Sequence, residues 1–183
     1  MEGRCIIGPS KTQTSVQTIV RWKKLPFGVL KINWDVALDP WTGKTGLGSL
    51  ARDHEGHVLA MSSSIRNQIS DPTTAETLAA WQAVVLGIQL GATYLELEGD
   101  ALEVVKDLNF SGHCWGRNGP VLNDIKLLLQ NFNGWKVSYV LREVNGTAHS
   151  LVKLALSSGV EHTWYDNFSI VLQEIVSTEQ VHL

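Results

Sequence analysis

The chain has 183 residues, of which 44% are hydrophobic and 18% charged, and this suits one folded domain with its own core. Its formal net charge is −3, so it lacks the basic character of strong, non-specific nucleic-acid binders. No apolar run is long enough to cross a bilayer, and residues 1–20 lack the apolar block of a secretory signal. We therefore expect an intracellular protein, in the nucleus or the cytoplasm, without a membrane anchor.

The first part of the chain predicts a leader followed by three strands. Residues 1–25 are polar and rich in Ser, Thr and Gln, and Pro26 and Gly28 mark the end of this mobile leader. Residues 29–37 alternate between apolar and polar side chains, which is the pattern of a strand. Two further strands are predicted over 46–52 and 57–65, and a hairpin loop is predicted between them over 53–56.

The next part of the chain is mainly helical. Pro72 opens a helix, Thr73 and Glu76 have the spacing of a capping box, and Gly91 ends it. A strand is predicted over 93–98. Three later helices are predicted over 99–108, 120–132 and 145–157, and one more strand is predicted over 135–141. We expect the apolar residues of the tail to pack back on the domain; they are Trp164, Phe168, Ile170 and Leu172.

The order of these elements indicates an α/β domain. Three consecutive strands followed by crossover connections predict a mixed five-stranded sheet, made of a three-strand meander and two crossover strands. Helices are expected on both faces of this sheet. We expect a single domain over residues 26–175, a C-terminal tail over 176–183, and a monomer.

Three acidic residues occupy related places in the predicted sheet. Asp35 ends the first strand, Asp100 follows the fourth strand, and Glu76 lies in the first turn of the helix between them. If strands one and four are neighbours, both aspartates emerge at the same end of the sheet, where crossover folds bind ligands. Converging carboxylates repel one another unless a cation lies between them, and oxygen ligands suit Mg²⁺ or Mn²⁺. The pattern predicts a metal site suited to phosphodiester hydrolysis, for which two ions are a standard device.

Each acid also has a purely structural interpretation. Glu76 completes a capping box with Thr73, Asp100 caps the helix that follows it, and Asp35 is a polar residue at a strand end. Taken together, the three positions favour a site over three unrelated structural roles.

Several short motifs occur in a characteristic order along the chain. They are Lys31 to Asp35, Gly46 to Gly48 with Arg52 to Gly56, Ala75-Glu76, Glu98 to Asp100, and Arg142 to Asn145 with Ala148-His149 and Leu154-Ala155. This ordered set resembles the plant ribonuclease H-like family, the reverse transcriptase-like domains related to the ribonuclease H region of non-LTR retroelements. The resemblance covers about residues 22–172. It implies a ribonuclease H-like fold and two-metal hydrolysis of the RNA strand of RNA–DNA hybrids.

The resemblance also implies roles for single residues. Asp35, Glu76 and Asp100 match the metal-ligand positions of the family, so we expect them to be both catalytic and metal-binding. Val36 replaces the usual Gly, where a branched side chain would crowd the turn beside the metals or reduce the approach of the substrate to the backbone. His149 replaces the fourth carboxylate of fully equipped ribonucleases H, and we assign it a catalytic role as a Mn²⁺ ligand, a proton carrier or an aid to product release. The alternative is a residue on the helix surface with no role.

Substrate contacts are expected from other positions. Asn145 matches an asparagine before the last helix, and Arg142 lies near the place where some ribonucleases H carry a mobile loop histidine. We assign substrate binding to Asn33, Arg142 and Asn145. In the loop before residue 120 the nearest candidates are His113, Trp115 and Arg117. Three tryptophans are expected in the core: Trp34, Trp81 and Trp135.

The resulting hypothesis is a hydrolase that binds RNA–DNA hybrids or other nucleic acid and uses two Mg²⁺ or Mn²⁺ ions. A catalytically impaired nucleic-acid-binding module is the first alternative, favoured by His149, Val36 and the mild negative charge. A protein-interaction domain in which the acids are structural is the second.

Overall fold

The computed structural model describes residues 25–69, 71–159, 161–165, 168 and 170–180. The predicted leader, apart from Leu25, lies outside these residues. The strands of the described chain are β1 (Val29–Asp39), β2 (Lys44–Arg52), β3 (Val58–Asn67), β4 (Tyr94–Gly99), β5 (Gly134–Tyr139) and β6 (His162–Tyr165). Its helices are α1 (Pro72–Gln89), α2 (Leu102–Asn109), α3 (Gly119–Leu129), α4 (Gly146–Ser158) and α5 (Ile170–Gln180).

The strands form one mixed sheet in the order β5-β4-β1-β2-β3-β6. Strands β1, β2 and β3 form the predicted antiparallel meander. Strand β4 pairs in parallel with β1, and β5 pairs in parallel with β4, through helical crossovers. The prediction of five strands is wrong by one, because β6 pairs antiparallel with the free edge of β3. At four residues β6 is too short to show a clear period-two pattern in the sequence.

Helices cover both faces of the sheet, as the order of elements predicts. On one face, Ile32 and Trp34 of β1 pack with the small residues of α1 in the main core. Those small residues are Ala75, Ala79, Ala80 and Ala83, all fully buried, and they let the helix backbone lie close to the sheet. On the other face, a second cluster joins the sheet to α4 and α5; its buried members are Leu50, Met61, Leu151 and Leu172.

Glycines in β2 set the distance between α4 and the sheet. A Cβ at Gly46 would lie 2.8 Å from a methyl group of Val152 in α4, and a Cβ at Gly48 would collide with the same side chain. Helix α4 therefore approaches the sheet more closely than any residue with a side chain at these positions would allow. This close approach brings α4 against the end of β1.

The starts of two helices differ from the prediction. Asp71 is the N-cap of α1, with its side chain accepting a hydrogen bond from the Thr74 amide, so the predicted capping box of Thr73 and Glu76 is wrong. Helix α2 has Ala101 as its N-cap and no side-chain cap, so Asp100 does not cap it either. The structural interpretations of Glu76 and Asp100 as helix caps are therefore excluded.

Burial also differs from the pattern at several positions. Trp34 is fully buried and Trp135 is partly buried, but Trp81 is 39% exposed, because it lies on α1 away from the alanine stripe. In the tail, Leu172 is buried whereas Ile170 is exposed, and α5 continues through residues assigned to the tail. No helix of the described segments combines the length and apolar character that crossing a membrane requires.

Candidate metal centre

The two central parallel strands bring the predicted acids together. Strand β1 pairs with β4 in a register that sets Asn33 beside Glu98, so Asp35 and Asp100 lie just beyond this pair at the same end of the β1–β4 pairing. The prediction that Asp35 ends the first strand is wrong, because β1 continues to Asp39 through its pairing with β2. Ligand oxygens of Asp35, Glu76 and Asp100 all lie within 4.8 Å of one another. The structure thus assembles three carboxylates from β1, α1 and the end of β4, although their role as ligands stays a prediction.

Trp34 fixes the position of Glu76. Its indole Nε1 donates a hydrogen bond to Oε2 of Glu76 at 3.2 Å, and its ring packs directly against the backbone of Gly99. A Cβ at residue 99 would collide with this ring, so glycine is required immediately before Asp100. One buried tryptophan therefore positions elements that carry all three acids, a link that the sequence pattern does not reveal.

The electrostatics of the cluster favour a bound cation. Burial, and then the charges of Asp100 and Asp35, raise the pKa of Glu76 to about 8. Burial and the charge of Asp100 raise the pKa of Asp35 as well, against the opposing effect of its hydrogen bond with His149. The carboxylates thus resist being ionised together, and a divalent cation would remove this cost. An all-oxygen donor set of this kind fits Mg²⁺ or Mn²⁺.

His149 reaches the cluster from α4. Its Nδ1 lies 2.7 Å from Oδ2 of Asp35, a residue that is only 1% exposed. We assign the proton of this hydrogen bond to Nδ1, because an ionised carboxylate can only accept. The guanidinium of Arg142 lies 3.3 Å from the same ring nitrogen, beside the imidazole. This arrangement leaves Nε2 of His149 as the ring atom available for chemistry or for a ligand.

The two asparagines assigned to substrate binding lie inside the protein. Asn145 is 1% exposed and donates to the Trp34 carbonyl at 2.7 Å, and the His149 amide donates to the Asn145 carbonyl. Asn33 is 4% exposed and donates to Glu98 at 3.1 Å. Contact of either side chain with a substrate would need these bonds to be replaced, so their predicted role in binding stays a prediction.

Two further sequence expectations concern the surroundings of the acids. Val36 lies within β1, which continues to Asp39, and its side chain is buried in the main core, so it does not crowd a turn. His113 and Trp115 form an edge-to-face pair in the loop before α3, with Trp115 84% exposed. Among the predicted loop candidates, Trp115 therefore offers the largest free aromatic surface.

A second group of possible metal ligands lies in the hairpin between β2 and β3. It contains Asp53, Glu55 and His57. Asp53 accepts hydrogen bonds from the backbone amides of Glu55 and His57, and these bonds close the hairpin. The hairpin geometry accounts for their proximity without an ion.

Solved ribonucleases H share this fold. The RNase H1 of the halophilic archaeon Halobacterium salinarum NRC-1 is 25% identical, with a TM-score of 0.61 over 71% of this chain and 98% of that one. The N-terminal RNase H domain of Rv2228c from Mycobacterium tuberculosis, solved as a maltose-binding-protein fusion, is 20% identical, with a TM-score of 0.64 over 71% and 94%. LC11-RNase H1 from a compost metagenome, solved with an RNA/DNA hybrid, is 18% identical, with a TM-score of 0.62 over 71% and 98%. The expected ribonuclease H-like fold is confirmed.

Sequence comparison gives a consistent assignment. No curated protein sequence matches the chain. The sequence profile of the reverse transcriptase-like family matches residues 33–155, which is more than half of the chain and spans all three acids of the cluster. The chain therefore belongs to the reverse transcriptase-like family.

Proposed function

We propose that this domain is a metal-dependent endonuclease that hydrolyses the RNA strand of RNA–DNA hybrids. The observation that carries the proposal is the convergence of Asp35, Glu76 and Asp100, with ligand oxygens within 4.8 Å of one another. Similarity to the RNase H1 of Halobacterium salinarum, and to LC11-RNase H1, which was solved with an RNA/DNA hybrid, supports this substrate class.

The three carboxylates would hold the ion. When bound there, a divalent cation supplies Lewis-acid stabilisation of phosphoryl charge and activation of water. Trp34 holds Glu76 in place through its indole N–H, and Asp35 is buried within β1. The resemblance to the family predicts two ions.

His149 and Arg142 would handle the proton and the phosphate. With its Nδ1–H directed at Asp35, the imidazole presents Nε2 to accept a proton from an attacking water. Arg142 carries a permanent positive charge with donors suited to a phosphate oxygen, and it is exposed beside His149. We assign Asn145 the role of tying β1 to α4 and Asn33 the role of holding Glu98, beside their predicted part in substrate binding.

A catalytically impaired nucleic-acid-binding module is the second candidate. It is favoured by His149, whose imidazole forms a hydrogen bond with Asp35 at a position where a fourth carboxylate would add a metal ligand. A protein-interaction domain with purely structural acids is not proposed, because Asp71 and Ala101, and not Glu76 or Asp100, occupy the N-cap positions.

Cleavage of a labelled RNA–DNA hybrid in Mg²⁺ and in Mn²⁺ tests the proposal. The wild type should cut the RNA strand, and Asp35→Asn should not. Asp39→Asn is the matched control, because Asp39 ends the same strand and its side chain accepts hydrogen bonds from Trp41 and Thr42 of the neighbouring turn. Hybrid binding without cleavage in either ion, by a folded wild type, would instead support the binding module.

The finer assignments of origin and setting are also predictions. We infer from the motif order a plant, retroelement-related origin, which sequences from relatives would test. An intracellular monomer is expected, and light scattering of the purified chain would measure its oligomeric state.

A further inference from the structure

We propose that the carboxylate cluster holds a single divalent ion, and that Arg142 and His149 occupy the place that a second ion would need. The inference rests on the proposed function and deepens it, because it assigns the ion number and the group that meets the phosphate. It departs from the two ions that the family resemblance implies.

The first support is the bonding of Asp35. Two ions that lie about 3.5–4 Å apart in a hydrolytic site share a ligand, and a carboxylate does this with one oxygen for each ion. Oδ2 of Asp35 accepts a hydrogen bond from His149 Nδ1 at 2.7 Å, and the Val36 amide also bonds to this carboxylate. Since Asp35 is 1% exposed, the carboxylate has little freedom to turn and present both oxygens to ions.

The second support is the number of donors. Within the described segments, only Glu76 and Asp100 join Asp35 in this group of candidate ligands. Glu98, on the adjacent strand β4, is already engaged by Lys31 at 2.7 Å and by Asn33 at 3.1 Å. Three carboxylates make a good set for one ion, but a second ion would lack carboxylate ligands of its own.

The third support is charge. The guanidinium of Arg142 is permanently positive and close enough to Glu76 to attract its carboxylate. One divalent ion together with Arg142 balances three ionised carboxylates, whereas two divalent ions would leave two excess positive charges in a small, partly buried site. Coulomb repulsion among these positive charges therefore opposes the second ion.

The position of Arg142 beside His149 also suits it to bind the substrate phosphate. Its guanidinium lies 3.3 Å from His149 and is therefore on the His149 side of Asp35, which is the side that we assign to the excluded second ion. A planar guanidinium can bind two phosphate oxygens at once. Arg142 would therefore bind the phosphate on this side, and the single ion would bind it on the other.

Counting the Mn²⁺ ions bound by the protein in its complex with a non-cleavable RNA–DNA hybrid, with the hybrid alone as the blank, tests the inference, because a substrate phosphate would help to hold a second ion. Titration followed by electron paramagnetic resonance of free Mn²⁺ should give one ion for the wild type. His149→Asp, which removes the imidazole and adds a fourth carboxylate, should bind two, and circular dichroism would verify that it is folded. Asp35→Asn should bind Mn²⁺ more weakly by over about 100-fold, beyond the usual loss for groups that only support a ligand.

The outcomes separate this inference from the proposed function. Two ions on the wild type would overturn the inference and leave the nuclease proposal standing. No ion on the wild type would overturn both. One ion on the wild type and one on a folded His149→Asp would refute the assignment of His149 as the group that blocks the second ion.

Arg142→Ala provides an independent readout. Removing the guanidinium should weaken binding of an RNA–DNA hybrid, because a cation that contacts the phosphate is lost. Arg66→Ala is the matched control, because Arg66 pairs with Glu161 at the far edge of the sheet. Unchanged hybrid affinity in Arg142→Ala would contradict the role assigned to Arg142.

Discussion

The imidazole Nδ1 of His149 lies 2.7 Å from Oδ2 of Asp35, and this hydrogen bond connects helix α4 to the carboxylate at the centre of the cluster. The bond depends on how closely α4 packs on the sheet. Asn145 ties the start of α4 to the Trp34 carbonyl, and Gly48, the register partner of Asp35, leaves room for Val152. The chemistry at Asp35 is therefore sensitive to packing between β2 and α4.

Gly48→Ala should damage both stability and activity. The added methyl group would collide with Val152, which is fully buried, and overpacking of this kind costs about 1–3 kcal/mol of unfolding free energy. A shift of α4 would also lengthen the contact between His149 and Asp35, so hybrid cleavage should fall. Urea unfolding and cleavage rates measure the two effects.

Gly146→Ala is the control for this change. Gly146 begins α4 and a Cβ there would meet nothing within 4 Å. If Gly48→Ala were as stable and as active as Gly146→Ala, close packing of α4 at Gly48 would not control stability or the contact between His149 and Asp35.

Glu76→Gln should stabilise the metal-free protein at alkaline pH. The pKa of Glu76 is about 8 in the folded protein and has an ordinary value of 4.5, so the folded state binds the extra proton between these values. Stability of the wild type therefore falls as pH rises from about 4.5 to 8, by about 3–5 kcal/mol in total. Glutamine does not ionise and still offers an oxygen to the Trp34 indole.

Unfolding in EDTA from pH 5 to pH 9 measures this effect. The two proteins should be similar at pH 5, and the variant should be more stable at pH 9. Glu103→Gln, at an exposed position on α2, should show no such divergence. Parallel curves for wild type and Glu76→Gln would contradict the raised pKa.

His149→Ala should slow turnover more than it weakens substrate binding. Loss of the proposed proton acceptor should lower kcat by about 100-fold or more, the contribution typical of a positioned acid or base. KM for the hybrid should change little, because the imidazole bonds to Asp35 and does not hold the phosphate in this account. Steady-state kinetics would separate the two parameters, with His162→Ala, on β6, as the control.

The sequence could predict the acid cluster because the topology of strands and helix brings the three acids together. Asp35 lies on β1 just beyond its pairing with β4, Asp100 directly follows β4, and Glu76 lies just after the first turn of α1. Strand β6 escaped prediction because its four residues gain stability from pairing with β3, which is a tertiary effect.

The burial of polar groups was harder to predict. Alternation along β1 marks Lys31 and Asn33 as solvent-facing, but both are buried because Glu98 on β4 satisfies them. Asn145 is also a buried polar residue with a distant partner, since the Trp34 carbonyl to which it donates is 111 residues away in sequence. Such pairings depend on strand register and helix placement, and no local pattern encodes them.

The most direct test of the central claim is single-turnover cleavage of an RNA–DNA hybrid with a different label on each strand. In Mg²⁺ or Mn²⁺, the wild type should cut the RNA strand and leave the DNA strand intact, and EDTA should stop cleavage. Asp35→Asn should be inactive, whereas Asp39→Asn should keep wild-type activity. Cleavage that persists in EDTA or in Asp35→Asn, or an intact RNA strand with a folded wild type, would contradict the central claim.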